Sequence, residues 1–407
     1  VHTPMLHGHR ADSDLTMAFD FRRLAVAFAG TAAFLDLYAP QSLLPELARE
    51  FRVGEAVISL TITASMIAVA LTAPFAGSLA DVVGRKRIIV AAAFGLCLPT
   101  AMLAFVGSIE GMFFWRFVQG LFIPPIYAVT VAYIGEEWPP AEIGPVTALY
   151  IGGSVLGGFG GRFIIGNAAE LWGWQQSFLA LAAVNLACAT GIALFLPKER
   201  TFKKIGGLAQ SLGKMAGHFR NRRLVATFAI GFAILFSIVA TFTYVNFYLA
   251  APPFGLTPAA LGTVFTVYLV GVVVTPLSGS WVRRFGNLHT LVGGTACSIA
   301  GLLLTLSPSL LTVIPGLALA ATGLFIVQAT ATSFLPIAAT EAKASAIGLY
   351  GTCYYVGGSV GAFAPSVIWK NAGWTGCVSL VIGVEILIAL LAIRFWFVPA
   401  RLSDRQA

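Results

Sequence analysis

Charge is what this 407-residue chain has least of. Only 10% of its residues are Asp, Glu, Lys or Arg, against about a quarter in an ordinary soluble domain. A water-facing surface of normal size cannot be built from so few, which leaves no room for a separate soluble domain. Cysteine is scarce as well. Cys97, Cys188, Cys297, Cys353 and Cys377 all lie in apolar runs without metal-ligand spacing, so they read as small core residues, and neither a disulfide framework nor a metal site is expected. Also missing are a nucleophile paired with a base and a phosphate-cradling loop after a strand. No enzyme chemistry and no cofactor are therefore expected.

What the chain has in abundance is apolar sequence: 58% of residues are hydrophobic. Runs of about 20 apolar residues, each enough to cross a bilayer core, recur along its length. Twelve spans are expected, at 24–45, 55–79, 88–106, 111–135, 142–165, up to Pro197, and then 224–250, 258–281, 288–306, 310–336, 344–368 and 374–397. The predicted fold is an all-α membrane protein. The net charge of +8 is not a nucleic-acid signal, because it is distributed by topology. Twenty of the 25 Lys and Arg fall in segments that this arrangement places on one side; Arg49, Arg52 and Lys370 fall on the other, and Arg116 and Arg162 lie within spans. Positive charge marks the cytoplasmic face, so both termini are expected there and the lipid bilayer is the expected surrounding.

Residues 1–21 are polar, lack an apolar core and read as a cytoplasmic tail rather than a signal peptide. Residues 198–223 carry eight Lys and Arg and one acid, with Ile205, Leu208, Leu212, Met215 and Phe219 stepping along one helical face. An amphipathic helix on the inner leaflet is predicted there. This linker divides a bundle at 22–197 from one at 224–398, and 399–407 form a second tail. The two bundles echo each other. Pro74, Gly77, Ser78 and Gly84 recur displaced by 202 as Pro276, Gly279, Ser280 and Gly286, and Gly173-Trp174 recurs as Gly373-Trp374. Gly120-Leu-Phe-Ile recurs from Gly323, and Gly152-Gly-Ser-Val from Gly357. Four matches in one order indicate duplication. Two six-span halves related by an axis along the membrane normal are a transporter architecture, with the solute site between them.

One loop departs from the general poverty of charge. Between spans 2 and 3, Asp81, Arg85, Lys86 and Arg87 lie within seven positions, framed by Gly77 and Gly84. The second copy of this loop has Arg283 in place of Asp81 and Asn287-Leu-His289 in place of the basic run, so the first has kept a specialised job. Its pattern, G-x-x-x-D-x-x-G-R-K-R, resembles the loop signature of the major facilitator superfamily, with Val82 where that signature is usually basic. The resemblance implies twelve helices in two pseudo-symmetric six-helix halves. It further implies a cytoplasmic gate in which Asp81 faces the start of span 11 near Ala344 and Arg85 pairs with Glu136 or Glu137, joining the halves until the protein opens inward.

Four ionisable residues lie within the spans: Asp36, Arg116, Arg162 and Glu385. Each costs at least about 2.5–3.5 kcal/mol near the bilayer centre and needs an explanation. Arg116 and Arg162 lie about five residues from an outer helix end, close enough for either to snorkel to the interface. Asp36 and Glu385 are too deep and too short to do so. A carboxyl such as Asp36 can hold a proton or a cationic solute, the simplest chemistry for exchange, or serve as a structural donor. Its setting, Leu35-Asp-Leu-Tyr-Ala-Pro-Gln, resembles the first span of twelve-span drug:proton antiporters, whose matching acid takes part in proton or substrate binding. Arg116-Phe-Val-Gln119-Gly120 resembles their fourth-span motif, which is implicated in proton coupling. Glu385 has no motif behind it, and a second proton site and an acid tied to a polar neighbour remain equal readings.

The glycine-rich fifth span, with Gly153, Gly157, Gly158 and Gly161 before Arg162, is expected to pack helix backbones closely in lipid. It departs from the antiporter motif by Gly157-Gly158 in place of Gly-Pro, and looks more like the arabinose-efflux-like (YnfM-like) branch. Tyr38, Tyr127, Tyr150, Tyr244, Phe247, Tyr248, Tyr268, Phe325 and Tyr354 lie in spans expected to line a cavity. With them, the deep acids point to a small, moderately apolar or cationic solute, exported in exchange for protons. The proton gradient would be the energy source, and the protein would act as a monomer in a bacterial inner membrane. A facilitator or proton-coupled importer of a polar solute such as a sugar is the alternative, with Gln41, Gln119, Asn246 and Gln328 as its polar partners. A membrane receptor without transport is the reading from another class.

Overall fold

A computed structural model of the chain describes residues 21–199, 217–339 and 343–396, and every regular element in it is helical. The predicted amphipathic helix falls mainly on residues outside those described. In chain order the helices are α1 (Phe21–Leu35), α2 (Leu44–Glu50), α3 (Glu55–Val83), α4 (Arg85–Met102), α5 (Ile109–Glu137), α6 (Pro140–Trp172) and α7 (Trp174–Phe195). The second half has α8 (Arg222–Ala250), α9 (Pro258–Val264), α10 (Val270–Leu304), α11 (Leu310–Ala338), α12 (Lys343–Phe363) and α13 (Pro365–Phe395). Among the described residues nine helical stretches are long and apolar enough to cross a membrane. One of them, Pro258–Leu304, changes direction at Gly286 and makes two crossings. The broken segment 21–50 and the helix from Lys343 bring the total to twelve.

The duplication is visible in the backbone. Gly84 and Gly286 have φ of 106° and 79°, and Gly173 and Gly373 have φ of 91° and 52°. These are the positions where one span turns into the next, and only glycine adopts such angles without strain. Most spans run longer than the sequence predicts, since α3, α5 and α6 project past the apolar core. Pro124-Pro125 does not interrupt α5, which is helical throughout. Span 1 differs most: its helix ends at Leu35, and the chain resumes as a 3₁₀ turn, Ala39–Leu43, before α2.

Small residues set the packing. On α6, methyl groups at Gly153, Gly157 and Gly161 would overlap the carbonyls of Ala27, Thr31 and Leu35 on α1; Gly357 and Gly361 on α12 meet Phe232 and Phe236 on α8 in the same way. Gly158 is not part of this stripe, because its neighbour is the Arg162 side chain of its own helix. The contacts joining the halves gather at the end opposite the basic loop. There Thr63 Oγ1 donates to Ser359 O at 3.0 Å, Gln41 Nε2 donates to Thr243 Oγ1 at 3.0 Å, and Gly166 lies against the Pro258 carbonyl. Toward the basic end, a Cβ at Gly77, Gly144 or Gly351 would meet no atom of another described residue. Among the described residues, the hydrogen bonds and close glycine contacts between the halves fasten the far end.

Candidate functional site

The break in span 1 follows from Pro40. Its ring has no N–H to offer the Asp36 carbonyl four residues earlier and would collide with it if the helix continued. The Asp36 carbonyl keeps only a turn bond from the Ala39 N–H at 3.3 Å, and Arg116 of α5 engages both it and the Leu37 carbonyl: Nη1 donates to Asp36 O at 2.9 Å and Nη2 to Leu37 O at 2.7 Å. The guanidinium also donates to Thr61 O, Ser65 Oγ and Gln119 Oε1, at 3.2, 2.7 and 2.6 Å. Arg116 is wholly buried, so the snorkelling reading is corrected. Its place near a helix end is outweighed by its direction, which is inward onto polar backbone that only a multi-donor side chain could satisfy.

The Asp36 side chain turns away from the space between the halves and into the first bundle, among α4, α5 and α7. Asn185 Nδ2 donates to Oδ2 at 2.5 Å, and Thr100 Oγ1 and Gln119 Nε2 meet Oδ1 at 3.1 and 3.3 Å. Gln119 thus stands between the two charges, accepting from Arg116 and donating to Asp36. A buried carboxylate and guanidinium are tolerated only when such hydrogen bonds complete their shells. Thr100 and Asn185 were not singled out in the sequence. An amide in the apolar run of span 6 is a signal that could have found Asn185; Thr100 carries none.

On the other side of the same irregular segment lies a second buried arginine. Arg162 of α6 is 1% exposed, which corrects the snorkelling expectation here too. Its Nε and Nη2 donate to Gln41 Oε1 at 2.8 and 2.6 Å, and Nη1 donates to Gly158 O at 2.5 Å. Its charge lies over the rings of Tyr38, Phe265 and Tyr268 at 4.7, 4.3 and 4.7 Å. Phe265 and Tyr268 belong to the second half, so this cation–π cluster ties the halves together at the closed end. Ser42 Oγ donates to the Arg162 carbonyl at 3.0 Å. Residues 36–43 are therefore clasped by Arg116 on one flank and Arg162 on the other.

Glu385 lies inside the second bundle, 1% exposed, where Ser298 Oγ donates to Oε1 at 2.7 Å. Tyr127, Tyr355 and Tyr354 form a chain of rings at 6.0 and 5.5 Å between the halves, and Tyr354 Oη donates to Gln328 Oε1 at 2.6 Å. Asn246 is not available to a solute, since it donates to Phe242 O on its own helix. Tyr248 instead stacks on Trp374 near the far end.

At the basic loop, Arg85 donates to both oxygens of Glu136, at 2.9 and 2.6 Å, and lies 3.0 Å from Asp81. Hydrogen bonding to Glu136 raises its pKa further. All of these residues belong to the first half. The expected pairing of Arg85 with Glu136 is present and, lying within one half, it fastens the loop to α5. Glu137 contributes a carbonyl, which accepts from Arg22 at 3.5 Å. Lys86 and Arg87 line, with Lys198 and Glu199, a cavity of about 500 Å³. The expected neighbour of Asp81 near Ala344 falls beside residues outside those described.

The family model described as Major Facilitator Superfamily matches residues 26–362, with a further match over 237–407. The chain is 34% identical over 95% of its length to an uncharacterized MFS-type transporter, YybF, of Bacillus subtilis, of which it covers 96%. It is 33% identical over 90% of its length to the inner membrane transport protein YnfM of Escherichia coli, covering 88% of it. Among solved structures it resembles the nucleoside transporter NupG with a TM-score of 0.77 at 15% identity, covering 92% of this chain and all of the other.

Proposed function

The chain belongs to the major facilitator superfamily, and on that premise we propose that it is a proton-coupled secondary transporter that exports a small, moderately apolar solute by exchange. The observation that carries this reading is the clasped segment 36–43. One end of it holds a buried carboxyl, and its middle holds Tyr38 and Gln41, which grip the arginine closing the far end. Adding a proton to Asp36 removes the charge that Asn185, Thr100 and Gln119 stabilise. Gln119 then no longer bridges two ions, and Arg116, which pins the Asp36 and Leu37 carbonyls, loses its balancing charge. A change of protonation is in this way passed along the backbone to the far gate. Exchange of proton for solute follows if the outward-open state favours the protonated form and the inward-open state the other.

Both deep acids lie inside bundles, so a cationic solute is not supported by them. The sugar alternative is weakened by the internal engagement of Gln119 and Asn246. We place the basic end in the cytoplasm on the distribution of Lys and Arg, which makes this conformation inward-open. We place the protein in a bacterial inner membrane, a reading supported by its similarity to the Escherichia coli inner membrane transport protein. The proton gradient is the proposed energy source and the monomer the proposed working unit. The test is proton movement in proteoliposomes. Asp36→Asn is expected to abolish solute-dependent proton flux while solute-for-solute exchange continues. Loss of both together, in protein that is still folded, would assign Asp36 to the scaffold.

A further inference from the structure

Of the four ionisable residues within the spans, three are turned into a bundle: Asp36 and Arg116 in the first half, Glu385 in the second. Arg162 alone among them lies between the halves, at the closed end of the space a solute would enter. Its acceptors are the neutral oxygens of Gln41 and Gly158. Those bonds use three of the five N–H groups a guanidinium carries. Among the described residues no carboxylate pairs with it, and a buried cation without a counter-ion is held at a cost that an arriving anion would relieve. The surroundings are aromatic: Tyr38, Phe265 and Tyr268 pack on the guanidinium, and the Tyr268 hydroxyl is buried without a partner.

Deepening the transporter reading and resting on it, we propose that the solute is a small organic monoanion with an apolar or aromatic body, whose acidic group is received by Arg162. A carboxylate presents two oxygens in the geometry of a guanidinium edge, and such charge-assisted bonds are about twice as strong as neutral ones. In binding, the anion competes with the rings of Phe265 and Tyr268, the second-half members of the cluster. The solute thereby loosens the contact that holds the far end shut, and supplies the differential affinity that opening requires. A cationic solute would meet like charge at the same point. Arginine rather than lysine suits the role, because it combines the planar fork with stacking on aromatic faces.

The experiment uses the purified full chain and two matched probe series: phenylacetate, phenylacetamide and phenethylamine, and the three indole-3-acetic counterparts. Binding is measured by calorimetry, and counterflow of labelled acid in proteoliposomes needs no proton gradient, so the result stands apart from the proton-coupling reading. The acids are expected to bind at least about tenfold more tightly than the amides, and the amines least. In Arg162→Gln that preference of acid over amide should vanish. Arg162→Lys, which keeps the charge, should retain part of it, and it serves as the comparison if the glutamine variant does not fold. A purely structural Arg162 would change both affinities together and leave their ratio alone. Amides or amines binding as tightly as acids in the wild type, no binding by any acid, or an unchanged ratio in the variants would each overturn the proposal.

Discussion

At the scale of single residues, the site is a short circuit of hydrogen bonds around Asp36 and Arg116, in which the Asn185 Oδ1 is buried without a partner among the described residues. Gln119 is its most exacting position, because its oxygen serves Arg116 and its amide serves Asp36 and, at 2.7 Å, Thr100. Replacing it by leucine keeps the bulk and removes both functions. Leaving charged groups short of partners costs about 1–3 kcal/mol, so Gln119→Leu should lower the thermal unfolding temperature in detergent; an unchanged midpoint would show that the circuit is not structural. Much of this was legible in the sequence, since a charge in an apolar run announces itself whatever its direction. Asp36 and Arg116 were found that way, and Gln119 through the motif it shares with Arg116. What could not be read was orientation around the helix axis. Counting residues from a helix end gave Arg116 and Arg162 access to the interface, whereas their azimuth turns both inward. Asn185 and Thr100 are ordinary enough in membrane helices to pass without notice.

At the scale of elements, proline and glycine decide what the apolar runs cannot. Pro40 was visible in the first span, but that it would free two carbonyls depends on Arg116 arriving from a helix 80 residues later. Along α6 the glycines looked alike in sequence and differ in space. Gly161 lies against the Leu35 carbonyl, next to the helix break, whereas Gly158 has only its own Arg162 nearby. Gly161→Ala must push α1 and α6 apart, at about 1–3 kcal/mol for an overpacked contact. Gly158→Ala should be neutral or stabilising, by up to about 1 kcal/mol, because alanine favours the helix. Unfolding midpoints of the two variants separate them, and equal losses would mean that the stripe is not what sets the spacing. The span boundaries came out short for a related reason: α3 and α5 continue past the bilayer core on loop-facing turns that are helical but not apolar.

At the scale of the whole molecule, duplication makes two bundles that can rock about a shared interface, and the contacts name the state. The far end is fastened by Thr63 with Ser359, Gln41 with Thr243 and Arg162 with Phe265 and Tyr268. Toward the basic end, a Cβ at Gly77 would meet no atom of another described residue. The loop signature, the internal repeat and the number of spans were enough to anticipate the architecture. The sequence does not encode which end is closed, because alternating access requires both states to be close in free energy. The roles of the two ends can be tested by cross-linking. Cysteines at Thr63 and Ser359, joined by a short bifunctional thiol reagent, should hold this conformation and stop transport. A cysteine at Gly77 should then remain open to modification from the basic side, since no atom of another described residue lies within 4 Å of its Cβ position. In the unlinked protein its modification should slow when solute and gradient drive the halves through the opposite state. Transport that survives complete cross-linking would mean that the far end does not open during the cycle, and that the clasp on residues 36–43 is a static brace rather than a gate.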